Sequence, residues 1–235
     1  EVALPVSCVE HGRWHDVSPR FSAGEASYFS LRREKMEHVH SNLRAGGGHV
    51  ADQGAIWNHI AEKEEVAGSA SPTRAMHDLY RHRVDDIGEY ARAFPYMDGA
   101  VGMIVAMNGR IAGGDLFDQA RTAGSLWGKL IRSYAMDALD GGRGVSVSRE
   151  RAKRLLERTR GARCEAYPSL ALGVDVRLMG DGMVGAALVY RDTPVHVSLF
   201  RTHGGQGRSK SGMVRSSLRR GFRMSGPQGG PTRRD

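Results

Sequence analysis

Cysteine is scarce: Cys8 and Cys164 are the two in 235 residues, they lie far apart, and neither sits in a Cys-x-x-Cys pair or a zinc-ligand spacing. The chain therefore has no disulfide framework to lean on, and a reducing, cytoplasmic setting is expected. No run of about 18 apolar residues occurs, which argues against a membrane-spanning helix and makes a membrane partner unexpected. No secretory leader is visible. Also missing are a glycine-rich strand-to-helix start and the G-x-x-x-x-G-K pattern, so dinucleotide-binding and P-loop folds fit poorly. No internal repeat is evident. With no catalytic or cofactor motif of high specificity, the residues leave the reaction and any cofactor unknown.

What is present is enough for one core. At 235 residues, 40% hydrophobic and 26% charged, length and composition argue for one compact domain. The net charge of +8 is unevenly placed. Residues 201–235 carry nine Lys or Arg and one acid, which leaves 25 basic and 25 acidic residues in 1–200. The basic character thus belongs to a tail with eight glycines and almost no apolar periodicity, expected to be disordered. Arg- and Gly-rich segments can contact nucleic acid through phosphates, and a solvated terminus with no role is the other reading. The chain begins at Glu1, almost inside its first apolar run. A trimmed chain, with a strand missing upstream, is the expectation.

The opening stretch Leu4-Pro5-Val6-Ser7-Cys8-Val9-Glu10-His11-Gly12-Arg13-Trp14 reads as a buried strand that delivers polar groups at its mouth. From Asp16 to Gly48 a loop and then one strand or a short helix is expected, closed by Gly46-Gly47-Gly48. Asp52 caps a helix whose Ile56, Trp57 and Ile60 share a face, with Glu62 to Glu65 toward solvent. Ser71-Pro72 opens a second, with Met76, Leu79, Tyr80, Ile87, Ala91 and Phe94 as its buried stripe and Pro95 as its stop. Asn108-Gly109 joins Ala100–Met107 to Arg110–Asp115 as a hairpin. A helix carrying Leu126, Trp127, Leu130, Ile131, Tyr134 and Ala138 follows, then one capped by Ser148 and ended by Gly161. Val174–Met179, Met183–Tyr190 and Val195–Phe200 read as an antiparallel meander. The sum is an α+β fold, a mainly antiparallel sheet with helices packed on one side, as a single domain over 1–200.

Several constellations carry chemistry. Glu10, Arg13 and Trp14 can bind an anion or a planar base, since arginine forks to phosphate or carboxylate and tryptophan stacks; equally they can form an internal ion pair beside a core ring. Asp115 and Asp118 flank an aromatic at a strand-to-helix junction, where they can act as general base or metal ligand, or serve as turn acceptor and helix cap. His196 and Ser198 share a strand face, opposite Val195, Val197 and Leu199, and His196 is an acid/base or binding candidate if that face fronts a site. Asp52, Gln53 and Trp57 open a helix whose free amides can face an anion. Cys8 is a nucleophile candidate with His11, His15 or His196 as base, or a small buried hydrophobe. His38-x-His40 and the pair His77 and His82 lack a third ligand, so no metal site is expected.

Taken in order, the opening stretch, Asp52-Gln53-Gly54-Ala55-Ile56-Trp57, Ser71-Pro72-Thr73, Gly114-Asp115-Leu116-Phe117, Tyr134-Ala135-Met136-Asp137-Ala138 and Val195-His196-Val197-Ser198-Leu199-Phe200 resemble a bacterial family, the ADP-ribosylglycohydrolase- and rhodanese-phosphatase-superfamily-associated protein domain. The resemblance implies a prokaryotic or phage origin and a context shared with enzymes that process ADP-ribose or related nucleotides. It marks Glu10, Arg13, Gln53 and Asp115 as the polar motif positions, and it leaves the basic tail outside the family pattern. The family usually begins some residues earlier, which agrees with a trimmed chain. Two expectations follow. In one, an ADP-ribose or nucleotide-like ligand is bound or processed by Glu10 and Asp115 as acid/base groups, with Arg13, Trp14, Gln53, Trp57 and His196 as ligand-binding residues. In the other, the chain is a non-catalytic interaction module of a phage or host conflict system, and Glu10 pairs with Arg13 inside the fold.

Overall fold

The computed structural model describes residues 5–13, 24–141, 144–180 and 182–202. Leu4, Trp14, the Ser18-Pro19 turn, Gly142, Asp181 and the tail beyond Thr202 lie outside the described residues. Contacts divide the chain into 1–204 and 205–235, and every described residue belongs to the first part.

The architecture is α+β, built on a six-stranded antiparallel sheet. Strands β1 (Gly102–Met107), β2 (Arg110–Phe117), β3 (Arg163–Pro168), β4 (Val174–Gly180), β5 (Met183–Tyr190) and β6 (Thr193–Arg201) run in the order β1-β2-β6-β5-β4-β3. Asn108 and Gly109 both have positive φ, at 51° and 75°, as a two-residue hairpin with the sheet's twist requires. The three meander strands are found, with β6 beginning at Thr193, two residues before the expected Val195. β3 is an element the sequence did not reveal: it is an edge strand with one neighbour and a half-exposed face, so it carries no apolar run.

Helices α1 (Phe29–Arg44), α2 (Gln53–Ala67), α3 (Met76–His82), α4 (Val84–Ala93), α5 (Ala120–Ala138) and α6 (Arg149–Arg160) complete the fold. Alternation along β6 separates them. Phe200 and Val184 point to the core that holds Phe29 of α1 and Leu130, Ile131 and Tyr134 of α5, whereas Leu199 and Met183 point the other way, to Leu155 of α6. Thus α1 and α5 lie on one face, with α2, α3 and α4 stacked on them through Tyr28, Leu31, Ile56, Ile60, Leu79 and Ile87. The remaining helix, α6, covers part of the opposite face.

Several local expectations are corrected. The opening stretch is no strand: Val6 is 87% exposed, and the segment is held from outside by the Gln53 amide, which accepts from Cys8 N (2.9 Å) and donates to Cys8 O (2.7 Å). Beyond that, Glu10 forms one isolated bridge with Ala75. Residues 29–44 are a full helix rather than a strand or short helix. Lys63 and Glu64, expected in solvent, are buried. The second helix begins at Met76, because Ser71 Oγ accepts from Ala75 N in a turn instead of capping at Pro72. It then breaks at Arg83, whose guanidinium reaches Asp140 (2.6 Å) at the end of α5. Asp118 is no cap, the position before α5 being Gln119, and Ser148 precedes α6 without a side-chain capping bond.

Two glycines set the approach of β2 to its neighbours. A Cβ on Gly113 would lie 2.0 Å from Leu199 O, and one on Gly114 would lie 2.5 Å from Met103 O. The strand therefore carries no side chain for two residues before Asp115. Gly114→Ala should force β1 and β2 apart and cost about 1–3 kcal/mol, read as a lower urea midpoint with unchanged slope. An unaltered midpoint would show that the strands have room to separate.

Candidate functional site

Asp115 is 0% exposed and is the hub of the helix-to-sheet interface. Its strand register sets it opposite Met103 on one side and Ser198 on the other, with its side chain on the α1 and α5 face. Oδ1 accepts from Arg32 of α1 (2.5 Å), Ser198 Oγ (2.6 Å) and His196 Nε2 (3.2 Å), while Oδ2 accepts from the Tyr134 hydroxyl of α5 (2.9 Å). Burial by itself would raise the carboxyl. The hydrogen bond from His196, the charge and hydrogen bond of Arg32, and the Ser198 hydroxyl outweigh it and hold Asp115 far below the usual carboxylate range. Tyr134 moves the other way, pushed far up by burial and then by the Asp115 charge. Arg32 completes the pair between two rings, 5.7 Å from the centroid of Tyr134 and 5.3 Å from that of Phe200.

His196 connects this buried hub to solvent. Its side chain is 41% exposed and lies flat on Phe117, with centroids 4.5 Å apart and planes 2° apart. An ionised carboxylate at Nε2 favours the hydrogen on that nitrogen, which in the neutral ring leaves the lone pair on Nδ1. A second imidazole repeats the device: His49 Nε2 meets Asp175 Oδ2 at 2.8 Å, and Arg177 binds the same carboxylate oxygen. Both histidines line one groove of about 300 Å³, together with Met36, Asp175, Leu188 and Ser198.

Ser198, His196 and Asp115 do not form a nucleophile relay. In such a relay the carboxylate holds Nδ1 and the serine bonds Nε2. Here Ser198 and Asp115 approach the same Nε2, both at 3.2 Å, and the serine hydroxyl donates to Asp115 directly. Ser198 helps to hold the carboxylate, and the imidazoles are the groups on the groove whose chemistry suits proton transfer.

The other sequence candidates gather elsewhere. Glu10 pairs with Arg13 at 2.8 Å. Gln53 is engaged with the Cys8 backbone, and Trp57 meets His11 edge-on at 4.7 Å, its buried indole nitrogen finding no acceptor among the described residues. These groups sit on the opening segment and the first turn of α2; none of them lines the groove. Trp14 is outside the described residues. Cys8 Sγ donates to Glu10 O at 3.1 Å. His38 lies near Glu34 and His40 is buried near Glu165, so the two do not share a face, and among the described residues no group of three or more His, Cys, Asp or Glu is placed to hold a metal ion.

Of the sequence candidates, the structure brings Asp115 and His196 together; Arg32, His49 and Asp175 were not among them. Their partners lie 83 and 126 residues away, and no local spacing marks them. Asp137, from another of the motif segments, anchors the start of α1: it accepts from Ser30 N (2.6 Å), Ser30 Oγ (2.8 Å) and Lys63 Nζ (2.5 Å).

Asp115, Tyr134, Asp137, His196 and Ser198 all lie in segments of the family resemblance, and the comparison with family profiles agrees. Residues 1–200 match the ARG and Rhodanese-Phosphatase-superfamily-associated Protein domain. The chain belongs to this family. Neither a curated protein nor a solved structure matches it. Among the described residues no helix is long and apolar enough to cross a membrane.

Asp115→Asn should leave the Arg32 charge buried without its counter-ion and cost about 3–5 kcal/mol, measured by denaturant unfolding at neutral pH. The acid side gives a second check. A carboxyl depressed in the folded state contributes stability that is complete above its unfolded value of about pH 4 and is lost as pH falls below it. The parent should lose stability there more steeply than Asp115→Asn, and parallel profiles would mean that Asp115 is not ionised in the fold.

Proposed function

We propose that the groove over the sheet is an acid–base site for an ADP-ribose or nucleotide-like ligand. The observation that carries this is the pair of imidazoles on one groove, each with Nε2 tied to a carboxylate. His196 takes a proton from water or a ligand hydroxyl at Nδ1, backed by Asp115. His49, backed by Asp175, donates one to the leaving oxygen when protonated and binds phosphate in that form. Met36 and Leu188 offer the apolar surface that a base needs, and a volume near 300 Å³ is at the lower end of small-molecule sites. The ligand class rests on the family's association with ARG and rhodanese-phosphatase proteins. The same reading keeps the prokaryotic setting and the reducing, cytoplasmic location, which two free cysteines support.

The interaction-module reading has its own support. Glu10 is engaged with Arg13, and Gln53 with the backbone of Cys8, so these motif residues serve the fold.

Thermal unfolding of the full chain against ADP-ribose, NAD, ADP and cyclic nucleotides, with and without magnesium or zinc, separates the two. A ligand at 100 times its dissociation constant should stabilise by about 2.7 kcal/mol. With that ligand, His196→Asn should still bind yet turn over about 10²–10⁴-fold more slowly. A cooperative melt that no compound shifts would favour the interaction module, and undiminished turnover in His196→Asn would remove the histidine from the chemistry.

A further inference from the structure

The face of the sheet opposite the groove carries a second feature, a predominantly basic helix. Helix α6 lays Ala152 and Leu155 against β2, β4 and β5 and turns the rest outward. Its outer residues include Arg149, Arg151, Lys153, Arg154, Arg158 and Arg160, against Glu150 and Glu157. Arg151, Arg154 and Arg158 stand at i, i+3 and i+7, so they share one side of the helix. They meet Arg201 from the end of β6 around a depression of about 240 Å³ floored by Leu155 and Met183. All four arginines are exposed. Glu150 is held below its usual range first by its own backbone amide, then by Ser148, with a smaller contribution from Arg154.

We propose that this depression binds the phosphate backbone of a nucleic acid. Arginine forks match phosphate oxygens in pairs, and the helix uses five arginines to one lysine. From Arg151 to Arg158 the helix rises about 10 Å, the axial span of about three phosphates of one strand at ~3.4 Å each. A lipid surface fits less well, because Ala152 and Leu155 are packed inward and Leu156 is the one apolar side chain of the helix left exposed, too little to insert. The sequence after Arg201 adds eight further Lys or Arg up to residue 235.

Fluorescence anisotropy with the full chain tests this, using a labelled RNA single strand, a DNA single strand and a DNA duplex over about 50 to 200 mM salt. Arg151→Gln with Arg154→Gln should weaken binding at least about tenfold at the low-salt end. It should also lower the slope of log affinity on log salt by about 1.4 for single strands or 1.8 for duplex. The melting temperature should stay that of the parent, since both side chains are exposed. Arg219, Arg220 and Arg223 changed together to Gln serve as the tail control, and phosphatidylserine vesicles as the membrane control. The proposal fails if the double variant binds as the parent does, if only the tail variant loses affinity, if vesicles bind and nucleic acid does not, or if no strand binds.

Discussion

The guanidinium of Arg32 reaches from α1 to the fully buried carboxylate of Asp115 at 2.5 Å, where water gives little support to either charge and each is tolerable because the other is present. Around that pair the fold is specified rather than merely packed. Tyr134 brings α5 to the same carboxylate, Ser198 and His196 bring β6, and Phe29, Phe200 and Tyr134 close the apolar shell. A displacement of α1 by one turn would leave a buried charge unmatched. The helix is tied down again at its start by Asp137, so both its position along the sheet and its rotation are set by carboxylates on other elements.

The same arrangement joins stability to chemistry. A carboxylate that accepts four hydrogen bonds stays ionised through the physiological range, and an ionised Asp115 favours one tautomer of His196. Phe117 beneath the ring fixes its plane. The solvent-facing nitrogen is thus oriented by groups that also hold the layers together, and Asp175 gives His49 the same support through Arg177. Glu10 and Arg13, by contrast, satisfy each other near the chain's start.

How much of this was legible follows from where the apolar residues are. Asn108-Gly109 announced its hairpin, and the runs at 174–179, 183–190 and 195–200 announced the meander, because those signals are local. Helix α1 was not legible, since its inward positions Arg32, Met36 and His40 bury polar groups at the sheet instead of an apolar stripe. Its reason for being helical lies in Asp115, Arg177 and Glu165, far along the chain. Within the site, the two-residue spacing of His196 and Ser198 and the lone acid Asp115 in an apolar strand were visible. Arg32, His49 and Asp175 looked like ordinary surface charges, because their burial comes from contacts that no spacing encodes.

β6 presents His196, Ser198 and Phe200 to one face of the sheet and Leu199 and Arg201 to the other. Its register against β5 shifts once, between Leu188 and Val189, where His196 and Pro194 are the successive partners and Val195 is the unmatched residue. The strand already absorbs an odd residue there, immediately before His196. This sets where the strand can tolerate a change of length. A single insertion at the bulge or before it leaves every later side chain on its own face. One between His196 and Arg201 would turn the remainder over and exchange the contents of the two faces.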